Sequence, residues 1–186
     1  MSIKVLTLVG SLRSDSINRQ LAETAATVAP EGTDVRIYDG LENIPFYNED
    51  LDVEGSVPAA AEALREAAKE ADAVLLVSPE YNGTTPAVLN NAIDWLSRPF
   101  GAGALNGMPA AVIGTSPSPY GAQWAHDDAR KALGIAQAKV LEDAKLSIGA
   151  RFEVFATTHP KDHAESAAEI AGIVSALAGA VELVNA

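Results

Sequence analysis

Hydrophobic residues along this chain fall into short, nearly continuous runs that alternate with longer segments of helical periodicity. Four runs rich in branched side chains predict strands, at Ile3–Val9, 34–39, Ala73–Val77 and Pro109–Thr115. Three of these runs are largely apolar, which is typical of strands covered on both faces of a sheet. A fifth strand is predicted at 138–141, with 146–149 and 152–156 as candidate extensions.

A helical repeat of apolar residues follows the third run and returns near the C-terminus. The first repeat comprises Leu89, Ala92, Ile93 and Leu96, at i, i+3, i+4 and i+7. Such spacing gives a helix one apolar face with which to pack on a sheet. Thr85 is predicted as the N-cap of this helix and Pro86 as its first residue. A second repeat predicts a long terminal helix and comprises Ile170, Ile173, Val174, Leu177 and Val181.

Strands and helices therefore alternate about five times, and this order predicts an α/β fold with parallel strands and helices on both faces. We expect one domain over residues 1–186, because no repeat, linker or low-complexity tract interrupts the pattern. In such sheets ligands bind outside the carboxyl ends of the strands. The loops after strands one, three and four are therefore the places to look for a site.

Composition and charge narrow the classes of function. The net charge of −12 disfavours nucleic acid and anionic membranes as partners. The sequence contains no cysteine, so thiolate, disulfide and zinc-thiolate chemistry are excluded, and any redox chemistry must come from a cofactor. The N-terminal apolar run is short and lacks a signal-peptide cleavage region, from which we expect a cytoplasmic protein.

The loop after strand one, GSLRSDSINR at 10–19, has the composition of a phosphate site. It carries the hydroxyls of Ser11, Ser14 and Ser16, the guanidinium of Arg13 and the amide of Asn18. These groups precede a helix N-terminus, whose free N–H groups and positive dipole end favour anions. The alternative is that the serines only cap the helix and Arg13 is a solvated charge. This loop alone leaves both interpretations open.

Several other chemistries find little support in the sequence. No P-loop motif and no G-x-S-x-G motif occurs, and the glycine-rich stretch 101–107 follows a helix instead of a strand. His126 and the two aspartates after it are consecutive on a predicted helix and point in different directions. His159 and His163 have no third ligand nearby. We therefore expect no metal site.

The loop after strand one, together with PEYNGTTPAVLNNAIDW some sixty residues later, resembles the NAD(P)H-dependent FMN reductase family. This family is flavodoxin-like and includes quinone, azo-dye and chromate reductases. The resemblance implies a three-layer sandwich with a five-stranded parallel sheet of order 2-1-3-4-5. It also implies bound FMN, NADPH or NADH as co-substrate, and a homodimer or homotetramer. The likeness in motifs extends to about Leu141.

The resemblance also assigns residues to the cofactor. Ser11, Arg13, Ser16 and Asn18 would bind the FMN phosphate. The segment that would lie along the isoalloxazine ring comprises Pro79, Glu80, Tyr81, Asn82 and Gly83. Gly83 permits close approach of the backbone, and Tyr81 offers a flat amphipathic surface. The alternative is an ordinary polar turn in which Tyr81 packs on a neighbour.

The loop after strand four departs from the family pattern. Many relatives carry paired glycines here, whereas this chain reads TSPSPYGAQW. Ser116, Ser118, Tyr120 and Gly121 are the candidates for the far side of the ring. Asn90 also replaces a lysine found in many relatives, which removes one positive charge from the helix after strand three.

The resulting hypothesis is an FMN-dependent oxidoreductase that takes a hydride from NAD(P)H and reduces quinones or other small acceptors, with azo compounds and chromate as further candidates. The flavin would carry the chemistry, so no protein residue is assigned as a catalytic acid or base. The alternative is a flavodoxin-like electron carrier that docks redox partners through its acidic surface. Phe46, Tyr47 and Trp124 are candidates for an interface between subunits, or for ordinary packing.

Overall fold

The protein is built around one five-stranded parallel sheet. A computed structural model describes residues 2–185 of the chain. The strands are β1 (Ile3–Val9), β2 (Thr33–Ile37), β3 (Ala73–Val77), β4 (Pro109–Thr115) and β5 (Lys139–Ile148). Their order across the sheet is β2-β1-β3-β4-β5, and all neighbours are parallel. The predicted flavodoxin-like architecture and sheet order are confirmed.

Within residues 2–185, five α-helices connect and cover the strands. They are α1 (Ile17–Thr27), α2 (Ala59–Lys69), α3 (Ala87–Leu96), α4 (Gln123–Ile135) and α5 (Ala164–Asn185). Short 3-10 turns lie at Leu41–Asn43, Glu49–Leu51, Val154–Ala156 and Pro160–Asp162.

Alternate side chains of the central strands enter two separate apolar cores, one on each face of the sheet. On β1, Leu6 and Leu8 pack with α2, α3 and α4, whereas Val5 and Val9 pack with α1 and α5. All residues of β3 and β4 are buried, which accounts for their continuous apolar sequences.

The apolar stripes predicted for α3 and α5 both face the sheet. Every residue of the two stripes is buried to 8% exposure or less. The length and composition of α5 would suffice for a membrane span. Its stripe lies in the core with Val5, Val9 and Leu75, and this packing accounts for the apolar sequence.

Three details of the sequence prediction are wrong. The second strand is Thr33–Ile37 and ends before Tyr38, and the fifth extends through 146–148, so only the first candidate extension belongs to it. Residues 152–156 form no strand; Val154–Ala156 is a 3-10 turn that buries Phe155. The start of α3 is one residue later than predicted: Pro86 is the N-cap and Ala87 the first helical residue. Thr85 does not cap the helix, and its hydroxyl donates instead to the Ala125 carbonyl of α4, at 2.9 Å.

The long loop between β2 and α2 is fixed to α3. Asn91 accepts a hydrogen bond from the Tyr47 N–H at 2.8 Å and donates to the Pro45 carbonyl at 3.1 Å. The Trp95 indole donates to the same carbonyl at 2.8 Å. Phe46, between these two anchored residues, is nevertheless 77% exposed. The Phe46 side chain is thus presented to solvent from a rigidly held backbone.

An ion pair holds the far end of this loop. The Arg65 guanidinium binds both carboxylate oxygens of Asp52, at 2.7 and 2.8 Å, and stacks over the Trp95 ring at 5.2 Å. These hydrogen bonds hold the pKa of the Asp52 carboxyl below its ordinary value. The Tyr47 ring meets Trp95 edge-on, with centroids 5.0 Å apart, so Tyr47 belongs to the packing under the loop.

Candidate functional site

The loops after β1, β3 and β4 begin side by side at the carboxyl edge of the sheet. The Gly10 N–H donates to the Val77 carbonyl at 2.9 Å, and the Ser78 N–H donates to the Ile113 carbonyl at 2.9 Å. These bonds extend the ladder by one residue beyond the strands. They bring together the three segments that the sequence analysis singled out, at 10–19, 78–86 and 116–122.

The loop after β1 presents an arginine beside a helix start. Ser16 is buried and caps α1, because its hydroxyl accepts the Arg19 N–H at 3.4 Å. Ser11 is partly buried. Arg13 is exposed, and among the described residues its guanidinium reaches only the Asp15 carbonyl, at 3.5 Å. The Arg13 guanidinium therefore remains available to an anion.

Asn18 joins the first loop to the third. Its buried side chain donates to the Thr115 carbonyl and accepts the Thr115 N–H, both at 3.0 Å. Half of the hydrogen-bonding capacity of this amide, one N–H and one oxygen lone pair, is thus used within the protein. A direct bond from Asn18 to phosphate stays a prediction, whereas its contact with β4 is a feature of the fold.

The loop after β3 makes a tight turn at its outer end. Tyr81 and Thr84 exchange two backbone hydrogen bonds, of 3.3 and 3.2 Å, across Asn82 and Gly83. The φ angles of Asn82 and Gly83 are +55° and +75°, and asparagine followed by glycine is the preferred sequence for such a turn. Pro79, at the base of the loop, is buried, whereas Tyr81 is 48% exposed.

The first turns of α4 brace this loop from one side. A Glu80 carboxylate oxygen accepts the Ala125 N–H at 3.2 Å, near the start of the helix. Asp128 accepts the Thr84 hydroxyl and the Thr85 N–H, and the Thr84 hydrogen bond lowers the pKa of Asp128. The Glu80 side chain therefore faces the helix, and it is the exposed Tyr81–Gly83 turn that stays open to a ligand.

His126 lies beneath the same loop. Its imidazole is 2% exposed, with Nε2 2.9 Å from the Ser78 carbonyl oxygen and Nδ1 2.7 Å from the Ser147 hydroxyl. The sequence analysis considered His126 and Asp128 only as metal ligands and missed both as supports of the site. For His126, a polar residue beside the apolar face of an amphipathic helix was the one available signal.

The loop after β4 is pressed against the end of β5. Gly121 has φ +61°, and a Cβ there would lie 2.5 Å from the Gly149 nitrogen, so no side chain fits. The next residue, Ala122, also has a left-handed φ of +70°. A second glycine would adopt this backbone without strain, whereas alanine adopts it at a cost of roughly 1–2 kcal/mol.

The remaining side chains of this loop differ in role. Ser118 accepts the Tyr120 N–H at 3.2 Å and so shapes the turn. Tyr120 and Trp124 are 57% and 54% exposed, and their rings pack together with centroids 5.2 Å apart and planes tilted by 35°. Ser116 is buried, and its hydroxyl has no hydrogen-bond partner within residues 2–185. An unpaired buried hydroxyl at this edge is a candidate ligand contact.

A cleft of about 380 Å³ opens between the first two loops. Its lining comprises Gly10, Leu12, Arg13, Tyr81, Pro86, Ala87 and Val88. The cleft is mainly apolar, with a free guanidinium at one side and a half-exposed tyrosine at the other. The guanidinium and the tyrosine fit a ligand that joins a phosphate to a planar ring system, as FMN does. The unpaired Ser116 hydroxyl belongs to the neighbouring loop and is not part of this lining.

A larger cleft of about 460 Å³ lies on the other side of the first loop, toward β2. Ser11 and Arg13 of the first loop reach this cleft too, but it is also lined by the carboxylates of Glu23, Asp39 and Glu42, and its second arginine, Arg19, is already paired with Asp39 at 2.6 Å. Negative charge makes this cleft the less suitable place for a phosphate. We therefore place the candidate site on the β3 side of the loop.

Comparison with known proteins identifies the family. The sequence model described as NADPH-dependent FMN reductase matches residues 3–153. The chain belongs to this family. The matched region includes all three loops of the candidate site.

Individual relatives agree with the family. The chain is 36% identical over 151 residues to a quinone reductase of Pseudomonas putida, covering 81% of this chain and 80% of that protein. It is 43% identical over 116 residues to a 2-hydroxy-1,4-benzoquinone reductase of a Burkholderia species. That alignment covers 62% of each protein, so it spans less than two thirds of the relative.

Solved structures extend the similarity over nearly the whole chain. FerB, a flavoenzyme NAD(P)H:(acceptor) oxidoreductase of Paracoccus denitrificans, superimposes with a TM-score of 0.84 at 32% identity, covering 97% of both chains. A flavodoxin of Pseudomonas aeruginosa superimposes with a TM-score of 0.59 at 21% identity, covering 93% of this chain and 99% of that one. The flavodoxin comparison shows the fold alone.

The two histidines outside α4 have partners within the protein. Within residues 2–185, no three His, Asp or Glu side chains are grouped as metal ligands. His159 binds Glu23 at 3.3 Å, and His163 binds the Ser166 hydroxyl at 3.0 Å. Both histidines therefore serve to hold the segment before α5.

Burial of His126 predicts a pH-dependent stability. Burial lowers the pKa of His126 below its ordinary value of 6.5, and Arg130 adds to the shift, while Ser78, Glu80 and Asp127 oppose it. The unfolded chain then binds the proton more readily than the folded one. The free energy of unfolding should therefore decrease as the pH falls below about 6.5 toward the lower pKa of the folded state.

Denaturant unfolding at a series of pH values between 7 and 5 measures this effect. His126→Gln, which has no titratable group, should give a flatter dependence over the same range, with the carboxylates contributing equally to both proteins. Parallel curves for the two proteins would show that His126 does not carry the effect.

Proposed function

We propose that this protein is an NAD(P)H-dependent FMN oxidoreductase that reduces quinones or other small electron acceptors. The observation that carries the proposal is the meeting of the three loops at one edge of the sheet, where the first two enclose a cleft lined by the free Arg13 and the exposed Tyr81. The family match and the two quinone reductase relatives support the same activity.

The chain offers separate groups for the two ends of FMN. Ser11, Arg13 and the N-terminus of α1 capped by Ser16 would hold the phosphate, through charge, hydroxyl and backbone N–H contacts. The exposed turn Tyr81–Gly83 would lie along the ring from one side, with Ser116 and the loop at 118–121 on the other. When bound, FMN supplies the hydride and electron transfer chemistry that the protein side chains lack.

The protein residues would bind and orient the reactants. The half-exposed rings of Tyr81, Tyr120 and Trp124 offer flat surfaces for planar molecules at the rim of the site. We assign no acid or base to the chain, because the flavin would carry the chemistry. The buried His126 also has both ring nitrogens bonded to protein groups. We propose that the acceptor site is permissive and also takes azo compounds and chromate. We further propose a cytoplasmic location, where NADPH and NADH are available.

A flavodoxin-like electron carrier is the second candidate. The net charge of −12 favours it, because acidic surfaces steer redox partners. A carrier would bind FMN equally well and would need no nicotinamide site. Direct oxidation of NADPH or NADH without another reductase separates the two functions.

The decisive experiment follows the visible spectrum of the protein. We expect FMN titration to give a bound flavin spectrum, and anaerobic NADPH or NADH to bleach it, with reoxidation on adding a quinone. A bound flavin that neither nicotinamide reduces would favour the carrier. Failure to bind FMN at all would overturn both functions.

Replacement of Arg13 tests the phosphate site. Arg13→Ala should weaken FMN binding by about 1.5–3 kcal/mol, the range for hydrogen bonds to a charged group. Arg36→Ala is the matched control, because Arg36 is an exposed arginine on β2 paired with Asp34. Fluorescence titration of both variants measures the effect. Equal affinities for the two variants would contradict a phosphate contact by Arg13.

We also propose a homodimer or homotetramer that uses Phe46. An aromatic side chain that is exposed while its neighbours on both sides are hydrogen-bonded is preorganised for an interface. Trp124 is the second candidate contact, whereas Tyr47 packs on Trp95. Phe46→Ser should shift the assembly toward monomer in sedimentation analysis. A wild-type protein that sediments only as a monomer would refute this proposal.

A further inference from the structure

We propose that His126 is a positioning residue for the flavin site: through an Nε2–H donor it fixes the Ser78 carbonyl, and with it the point at which the ring-binding loop leaves β3. The inference rests on the proposed function, because it takes the loop after β3 to be the support of the flavin ring. It concerns a residue on another element, α4, that does not reach the ligand itself.

The hydrogen bonds of His126 determine its tautomer. The Ser78 carbonyl, 2.9 Å from Nε2, can only accept, so Nε2 must carry the proton. Nδ1 of the neutral ring is then an acceptor, and the Ser147 hydroxyl, 2.7 Å away, can donate to it. Both nitrogens are satisfied by the neutral Nε2–H form. Burial favours the same form, because it disfavours the charged imidazolium.

The surroundings leave the Ser78 peptide little room to move. Gly114 of β4 lies directly beside it: a Cβ at Gly114 would overlap the Ser78 carbonyl oxygen and lie 2.8 Å from His126 Nε2. The same Cβ would lie 2.9 Å from Asn18 Oδ1. Parts of α1, β3, β4 and α4 therefore meet at one point without spare volume.

Two hydrogen bonds hold Ser78 at the start of the loop, one on each of its two peptide units. The Ser78 N–H is bound by the Ile113 carbonyl of β4, and the Ser78 carbonyl is bound by His126. The next residue is Pro79, which has no N–H with which to continue the ladder. The Pro79 carbonyl accepts only a local hydrogen bond, from the Ser78 hydroxyl at 2.7 Å, among the described residues. His126 thus provides the last main-chain anchor from another element before the turn at Tyr81–Thr84. Its loss would let the loop depart from the geometry that binds the ring.

His126 is distinct in role from the other contacts between α4 and this loop. Glu80, Thr84 and Thr85 contact α4 farther along the loop, and Asp128 is partly exposed. Those contacts fix the outer part of the loop. His126 acts at its base, where the orientation of the Ser78–Pro79 peptide sets the direction in which the loop leaves β3.

Two amide substitutions test the contact with Ser78. In His126→Gln the side-chain amide reaches about as far as Nε2 and can still donate to the Ser78 carbonyl. In His126→Asn the amide reaches only the nearer Nδ1 position, toward Ser147. We expect the Gln variant to keep FMN affinity within about threefold and the Asn variant to lose on the order of tenfold, the loss of one buried hydrogen bond.

Ser147→Ala is the matched control on the opposite ring nitrogen. It removes the donor to Nδ1 and leaves the Ser78 hydrogen bond, so FMN affinity and the spectrum of bound flavin should change little. The Asn variant should shift that spectrum and the flavin reduction potential, which a general loss of stability would not do. Equal losses in the Gln and Asn variants, or no loss in either, would overturn the inference.

The tautomer of His126 can be measured on the wild-type protein without flavin. This measurement depends neither on whether the variants fold nor on whether the protein binds FMN. Nitrogen-15 NMR of the wild-type imidazoles should show His126 protonated at Nε2 and not at Nδ1 at neutral pH. The opposite tautomer or a charged ring would overturn the inference. Failure of the wild-type protein to bind FMN would instead overturn the proposed function, with the tautomer still measurable.

Discussion

The hydrogen-bond ladder at the carboxyl ends of β1, β3 and β4 is the constraint on which the rest of the site depends. Because these strands are buried on both faces, their apolar side chains fix the register, and the Gly10–Val77 and Ser78–Ile113 bonds follow from that register. Three loops with different chemistry are thereby placed side by side. A phosphate-binding composition, an exposed tyrosine turn and an unpaired serine hydroxyl become one site only through this alignment.

Helix α4 converts that alignment into a rigid site. Residues of α4 form hydrogen bonds with Glu80, Thr84 and Thr85 of the loop after β3. His126 of the same helix binds the base of the loop, at the Ser78 carbonyl. A surface loop with so many fixed points loses little conformational entropy when a ligand binds. The same logic applies to Phe46, which is held by Asn91 and Trp95 while its ring stays in solvent.

The strands, the sheet order and the three loops were accessible from the sequence, and the supporting network was not. Apolar runs such as Ala73–Val77 mark buried strands directly, and the family resemblance gave the order of the sheet. By contrast, the partners of Asn18, His126 and Asp128 lie 97, 48 and 44 residues away. Helical periodicity tells which side of a helix these residues occupy but not what they meet across the fold. Thr85 shows the same limit, since a contact with Ala125 replaced the local cap that its position predicted.

The unusual loop after β4 changes the surface of the site more than its backbone. Gly121 is required by its close approach to Gly149, and Ala122 keeps a left-handed conformation at φ +70° although glycine would relieve it. The chain therefore follows a glycine-type path without the second glycine. What differs is the packed pair Tyr120–Trp124, more than half exposed at the rim. The turn itself is maintained by hydrogen bonds of Ser118 and Gly121. We therefore expect the Tyr120–Trp124 pair to affect which planar acceptors enter the site, and to affect flavin binding much less.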